Sequence, residues 1–203
     1  MKISKRVERG RSSKDLVNEA DVGLTLCSFI GTANLFFTGL VILNLSNLPD
    51  IVQLPVVYLV VSAVAFVLAA VIYANISGAP ENTAPRVQMM QVANWVSEYP
   101  GIYLFLTAIP LVVLGVTDVF LVQATTAIVC YGGLVAYSHS AFSLDHRRYI
   151  NRLERFFNSL ILVVFTFGVY VLAVLQSPYV LPVGIGCMIF ILFLSTITFA
   201  QEG

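Results

Sequence analysis

The sequence predicts an all-α fold: a polytopic transmembrane helical bundle with six spans, both termini cytoplasmic and one interfacial amphipathic helix. The first observation is composition, because 58% of the 203 residues are hydrophobic and 11% are charged, whereas soluble domains carry about 25% charged residues. The second is arrangement: the mean hydropathy is +0.88, and the apolar residues form runs near the ~20 residues that cross a bilayer. The third is that basic residues flank these runs on one predicted side.

Residues 1–20 are predicted to form a basic cytoplasmic tail, and residues 21–203 a single membrane domain. Six of the eleven basic residues lie in the first fourteen positions: Lys2, Lys5, Arg6, Arg9, Arg11 and Lys14. A polar stretch separates them from the first apolar run, which lacks a small-residue cleavage site, so a secretory signal peptide is not expected. A short helix is expected to start near Ser13.

Six apolar segments are predicted to span the membrane. They cover residues 22–45, 52–75, 101–116, 119–140, 156–176 and 179–199. Pro55 falls in the first turn of the second span, where a missing backbone N–H costs little. The connections at 46–51, 117–118 and 177–178 are short and contain no Lys or Arg.

The third of these segments is short for a span, because its 16 residues make about 24 Å of helix. It crosses a bilayer only if residues before Pro100 contribute, if the bilayer thins, or if the segment re-enters on the same side. Pro110 predicts a kink, since proline donates no hydrogen bond to the carbonyl of Leu106. A full span is favoured because residues 117–118 then form a hairpin to the fourth span.

Residues 84–98, between the second and third spans, are predicted to form an amphipathic helix capped by Thr83. Polar side chains recur three and four residues apart at Gln88, Gln91, Asn94 and Glu98. Apolar side chains and the single tryptophan of the chain, Trp95, occupy the remaining positions. This pattern is typical of a helix that lies in the membrane interface, and packing of the same helix on the bundle is the alternative.

A basic connection between the fourth and fifth spans determines the predicted orientation. It contains Arg147, Arg148, Arg152 and Arg155. With six spans this connection lies on the same side as the N-terminal tail, which the positive-inside rule makes cytoplasmic. Arg148, Arg152 and Arg155 share one helical face, with Arg147 near it, and we expect this face to bind anionic lipid or a protein partner. Alternatively, these arginines only set the orientation of the spans in the membrane and bind neither lipid nor a partner.

Small and polar residues at helical spacing predict the faces on which three spans pack. The faces are Cys27, Gly31, Asn34 and Thr38 on the first span, Tyr58, Ser62, Ala65, Ala69 and Tyr73 on the second, and Gln123, Thr126, Cys130, Gly133, Tyr137 and Ser140 on the fourth. The three faces are expected to meet in the interior of the bundle. Asn34, Gln123, Thr126 and Tyr137 are the candidates for a polar pathway, with helix packing as the alternative.

The sequence predicts no catalytic residue, cofactor or metal site. His139 and His146 are seven residues apart, about 10 Å along a helix, which is too far for both to bind one ion directly. The three cysteines lie in apolar runs without C-x-x-C spacing, so neither a disulfide framework nor a zinc site is expected. The middle of each predicted span lacks ionisable residues, which disfavours proton-coupled pumps and voltage sensors.

The expected function is that of a non-enzymatic integral membrane protein, an accessory or structural subunit that binds other membrane proteins or lipids. The alternative is a small oligomeric channel or facilitator for a neutral solute or ion, and an enzyme at the interface comes third. The expected partners are the lipid bilayer, including anionic lipids, and other membrane proteins or further copies of the chain. Nucleic acid is not an expected partner.

Overall fold

The structure is a computed structural model that describes residues 13–44, 52–78, 83–144 and 152–202, with side chains for 17–44, 52–78, 88–137 and 160–194. It is 94% helical, and the described ranges contain no strand. The all-α prediction is therefore confirmed. The connection that carries Arg147, Arg148, Asp145 and His146 lies outside the described residues.

Seven α-helices and one π-helical segment make up the described chain. They are α1 (Ser13–Leu43), α2 (Gln53–Gly78), α3 (Thr83–Val96), the π segment (Ser97–Tyr103), α4 (Leu104–Val116), α5 (Phe120–Leu144), α6 (Arg152–Val174) and α7 (Val180–Glu202). Each of the six predicted apolar segments lies largely within helix. The helix expected near Ser13 is present, but it continues directly into the first apolar segment.

The predicted interfacial helix and the short third span form one uninterrupted helical run in the structure. α3, the π segment and α4 follow one another without a break, and Pro100 lies inside the π segment. The apolar part of this run, Gln88–Val116, has 29 residues, so residues before Pro100 do contribute to its length. The separation that we predicted at Pro100 is absent, because the π segment carries the helix past the proline.

Among the residues whose side chains are described, four helices are long and apolar enough to cross a membrane: Val17–Leu43, Gln53–Gly78, Gln88–Val116 and Phe120–Tyr137. Two shorter apolar stretches, Leu160–Val174 and Val180–Leu194, lie within α6 and α7. The surface of these helices is apolar, since Phe29 is 75% and Phe36 69% exposed, whereas Asn34 is fully buried. Polar groups inside and large apolar groups outside are compatible with insertion in lipid, where exposed hydrocarbon side chains meet an apolar solvent.

The run formed by α3, the π segment and α4 occupies the centre of the bundle. α1 and α2 pack along each other, and α2 also contacts α3, the π segment and α4. α4 then packs against α5 and α6, while α7 contacts α6 and the π segment. In the most apolar 18-residue stretch of the central run 56% of the residues are buried inside the bundle, compared with 22% in Phe120–Tyr137 of α5. The central run therefore joins the α1–α2 pair to the remaining helices.

Candidate functional site: the polar cluster at the π segment

A hydrogen-bonded polar cluster lies where α1, α2 and the π segment meet. The Asn34 side-chain amide donates to the Ser62 hydroxyl at 3.0 Å and to the Leu59 carbonyl at 3.4 Å. The Thr38 hydroxyl donates to the amide oxygen of Asn34 at 3.1 Å. The Ser62 hydroxyl in turn donates to the Gly101 carbonyl at 2.6 Å. We call Asn34, Thr38, Ser62 and the Gly101 carbonyl the Asn34 cluster.

Because the groups of the Asn34 cluster are buried, their hydrogen bonds are important for holding α1, α2 and the π segment together. Asn34 and Ser62 are fully buried and Thr38 is 5% exposed. A buried polar group without a partner costs about 1–3 kcal/mol, and in lipid no water is available to replace the partner. Both hydrogens of the Asn34 amide and its oxygen are engaged, so the cluster links three helical segments and satisfies its own polar groups.

Two glycines allow the three segments to approach closely around Phe66. A Cβ added at Gly31 would lie 3.0 Å from the Cβ of Phe66, and one added at Gly101 would lie 3.1 Å from its ring. Phe66 itself is 1% exposed. Small residues at these two positions let α1 and the π segment contact α2, as in other close helix contacts in membranes.

Pro100 supplies a local reason for the π segment. Proline has no N–H, and in a regular α-helix its ring would clash with the carbonyl four residues earlier, here Val96. A π turn is wider than an α turn and appears as single-turn bulges inside longer helices, frequently at functional sites. The Gly101 carbonyl accepts from Leu104 N–H as well as from Ser62, so the exit from the π segment is held by a contact from α2.

Further polar contacts connect the start of α1, the end of α2 and α3. The Ser77 hydroxyl donates to the Asp21 carboxylate at 2.6 Å. The Tyr73 hydroxyl donates to the side-chain oxygen of Asn94 at 2.5 Å. The Tyr73 ring lies where a side chain at Gly23 would be, with ring atoms 2.6–2.9 Å from an added Cβ. These contacts fix α3 against α1 and α2 on the N-terminal side of the π segment.

Two buried tyrosines connect the remaining helices through backbone carbonyls. The Tyr58 hydroxyl on α2 donates to the Gly184 carbonyl of α7 at 2.6 Å. The Tyr131 hydroxyl on α5 donates to the Thr166 carbonyl of α6 at 3.0 Å. The two rings are 0% and 7% exposed, so their hydroxyls meet protein acceptors instead of water.

The predicted pathway residues Asn34 and Gln123 lie in different parts of the bundle. Asn34 bonds to α2, whereas the Gln123 side chain donates to the Thr117 carbonyl of its own hairpin at 2.6 Å. The Thr117 hydroxyl also accepts from Val119 N–H at 3.1 Å. Gln123 therefore ties the start of α5 to the turn that precedes it, and the two candidates are not brought together.

The predicted faces of the first two spans are confirmed, and the face of the fourth is shifted. Every member of the first two predicted faces is buried. On α5, Gln123, Thr126 and Tyr137 are half-buried and Gly133 is exposed, while the most deeply buried positions are Ala127, Cys130, Tyr131 and Leu134. α5 packs mainly on α4 and α6, although Tyr58 of the second predicted face lies in the same hydrophobic cluster as Ala127, Tyr131 and Leu134 of α5.

The predicted arginine face is only partly within the described chain. Arg152 and Arg155 lie in the first turns of α6, whereas Arg147 and Arg148 lie outside the described residues, and the orientation of all four side chains is undescribed.

Glu98 was predicted to lie in the interfacial helix, outside the spans. In the continuous helix it is half-buried and lies within the apolar stretch Gln88–Val116. It is eighteen residues before Val116, about 27 Å along a helix, so it falls near one end of a ~30 Å hydrocarbon layer. Glu19 and Asp21 likewise lie inside the candidate span Val17–Leu43, near its N-terminal end.

The hydrogen bonds described above hold helices together. In the part of the chain whose side chains are described, three or more His, Cys, Asp or Glu residues do not gather into a potential metal site. The spacing of polar residues in the sequence predicted Asn34 and Ser62 but not Gly101, because Pro100–Gly101 resembles a break between two helices.

Comparison with models of protein families, with curated proteins and with solved structures finds no match for this chain.

Proposed function

We propose that the chain is a multi-pass membrane protein with six spans and cytoplasmic termini. The four long apolar helices support membrane insertion. The 19 residues of α6 that follow Arg155 and the 21 residues of α7 before Gln201 correspond to about 29 Å and 32 Å of helix, near the length needed for two further spans. The basic tail and the 147–155 connection then lie on one side, as the positive-inside rule requires.

The topology is tested by labelling single cysteines from each side of the membrane. In a background that lacks Cys27, Cys130 and Cys187, cysteines are introduced by Ser46→Cys, Pro80→Cys and Ser143→Cys. We expect the first to react only with external reagent and the other two only from the cytoplasmic side. External labelling at position 143 would overturn the orientation.

We further propose that the protein is a non-enzymatic accessory or structural subunit that binds other membrane proteins or lipids. The observation that carries this proposal is the use of the buried polar groups: Asn34, Thr38, Ser62, Tyr58 and Tyr131 all bond to groups of the protein. Polar groups that are already paired within the bundle are poorly placed to replace the hydration shell of a passing solute. Their arrangement favours a rigid scaffold.

Affinity purification in mild detergent tests this role. We expect a larger complex that is lost when Arg148→Ala and Arg152→Ala are combined, since these arginines form the proposed docking face. The matched control combines Arg6→Ala and Arg9→Ala, which removes equal charge from the N-terminal tail on the same proposed side. Loss of the complex in both variants would indicate a general charge effect and contradict a specific docking face.

The alternative is a small oligomeric channel or facilitator, and Glu98 is the observation that favours it, because an acidic group inside a candidate span can attract a cation. Purified protein in liposomes distinguishes the two. Solute or ion flux that Glu98→Gln or Gln123→Leu abolishes, in variants that remain folded, would replace the accessory proposal. The accessory role predicts the same flux as empty liposomes.

A further inference from the structure

The π segment borders two hydrophobic clusters of the bundle. Met90 and Ala93 of α3 pack in the first cluster with Ala20, Cys27 and Ile76 from α1 and α2. The second cluster contains Tyr99 and Tyr103 of the π segment itself, together with residues of all seven α-helices. Because the π segment joins α3 to α4, a change in its helical form moves α4 relative to α3 and to the helices that α3 packs on.

The π form has an α-helical competitor that differs in rotation. A π bulge carries about one residue more per turn than the α-helix, and one residue corresponds to about 100° of rotation in an α-helix. Conversion of Ser97–Tyr103 to α-helix would therefore rotate α4 about its own axis relative to α3. A side chain 5 Å from that axis would move by about 8 Å, which is larger than a thermal fluctuation of a packed helix.

Two features of the structure favour the π form. Pro100 makes the α form unfavourable, because its ring clashes with the Val96 carbonyl in a regular α-helix. The Ser62 hydroxyl binds the Gly101 carbonyl at 2.6 Å, and Asn34 holds Ser62 at 3.0 Å. A proline-kinked α-helix is nevertheless tolerated inside membrane bundles, so the balance between the two forms depends on the contact from α2.

We propose that Ser97–Tyr103 is a two-state hinge in which the Ser62–Gly101 hydrogen bond holds the π form, and that breaking this bond converts the segment to α-helix and rotates α4 relative to α1–α3. The hinge goes beyond the accessory role, because it stands on the geometry of the central helix whatever the protein binds. It gives the bundle a second arrangement that a ligand or partner can select only through contacts that differ between the two forms.

Distance measurement between pairs of spin labels tests the hinge. In the cysteine-free background, Leu43→Cys and Val116→Cys place labels at exposed positions at the ends of α1 and α4, across the hinge. Val22→Cys and Gln88→Cys place a control pair on α1 and α3, both on the N-terminal side of the hinge. The reference protein should give one distance for each pair.

Two independent variants should move the first pair alone. Ser62→Ala removes the hydrogen bond and Pro100→Ala removes the clash in the α form, so each should add a second Leu43–Val116 distance that differs from the first by up to about 8 Å. Ser62→Thr keeps a hydroxyl and should retain the reference distance. The Val22–Gln88 distance should stay unchanged throughout.

A single reference distance in both Ser62→Ala and Pro100→Ala would overturn the hinge and make the π segment a fixed kink. Broadening of both label pairs together would also overturn it, because general loosening of the bundle would then explain the data. If Ser62→Ala fails to fold, Ser62→Cys takes its place, because a thiol of similar size donates only a weak hydrogen bond to the Gly101 carbonyl and should add the same second distance.

Discussion

The Asn34 amide lies 3.0 Å from the Ser62 hydroxyl, and both side chains are fully buried between α1 and α2. The same Ser62 hydroxyl donates to Gly101 at 2.6 Å. One amide on α1 is thereby connected, through one hydroxyl on α2, to the backbone of the central helix. Because each group depends on the next for its partner, substitutions here should affect the bundle more than their size suggests.

Asn34→Leu should destabilise the protein by about 1–2 kcal/mol, the range expected for interhelical hydrogen bonds in membranes. Leucine is similar in volume but cannot donate to Ser62 or accept from Thr38. Unfolding by sodium dodecyl sulfate from mild-detergent micelles, followed by Trp95 fluorescence, measures the change.

The matched control for Asn34→Leu is Thr32→Val on the same helix. Thr32 is exposed, and its hydroxyl donates to the Ser28 carbonyl of its own turn at 2.7 Å. We expect a change below about 0.5 kcal/mol, as for surface substitutions in general. Equal losses in the two variants would contradict a special role for the Asn34 cluster.

Gly31→Ala should destabilise the bundle, whereas Gly132→Ala should not. A Cβ at Gly31 would lie 3.0 Å from the Cβ of Phe66, which is attached directly to the backbone and cannot rotate away. Overpacking of this kind costs about 1–3 kcal/mol. Gly132 has nothing within 4 Å, so alanine there should gain about 0.5–1 kcal/mol from its better helix propensity. The unfolding midpoints of the two variants should move in opposite directions.

Tyr58→Phe should cost about 1 kcal/mol, because it removes a buried hydroxyl that donates to the Gly184 carbonyl at 2.6 Å without changing the ring. Tyr179→Phe is the control, since Tyr179 is 66% exposed and its hydroxyl can meet solvent or headgroups. Thermal unfolding in one detergent compares the two. A larger loss from Tyr179→Phe would be inconsistent with the proposed link between α2 and α7.

Gln176→Gly should stabilise the turn between α6 and α7. Gln176 has a φ of 51°, in the left-handed region that costs an ordinary residue about 1–2 kcal/mol. Its N–H bonds to the Ala173 carbonyl and the Ser177 N–H bonds to the Leu172 carbonyl, both at 3.0 Å, which is the Schellman arrangement that favours glycine. The thermal midpoint should rise in Gln176→Gly and stay level or fall in Gln176→Ala, which keeps the strained conformation.

Local patterns were sufficient to locate the helices and two of their packing faces. Runs of apolar residues predict helix wherever backbone hydrogen bonds can form only within the segment. Spacing of three and four residues placed Asn34 and Thr38 on one face of α1, and Tyr58 and Ser62 on one face of α2, all of which are buried. These features depend on residues close in sequence, so the sequence contains them directly.

The choice of partner for each face was decided by packing over long sequence separations. Gln123 shares helical spacing with its neighbours on α5, yet it bonds to the Thr117 carbonyl of its hairpin, and α5 packs on α4 and α6. Periodicity indicates which side of a helix is buried but carries no information about the helix that covers it. The three spans do contribute to one hydrophobic cluster, but the polar residue Gln123 of the predicted face bonds within its own hairpin.

By itself, the sequence determined an all-helical, strongly apolar chain and the positions of its helices, because those properties arise from composition and short-range hydrogen bonding. Only the tertiary structure decided that the helix continues through Pro100. Proline and glycine favour a break locally, whereas in the bundle the wider π turn avoids the proline clash and α2 supplies Ser62 and Phe66 to hold Gly101. The energy of those contacts comes from residues about forty positions away, which no local pattern around Pro100 contains.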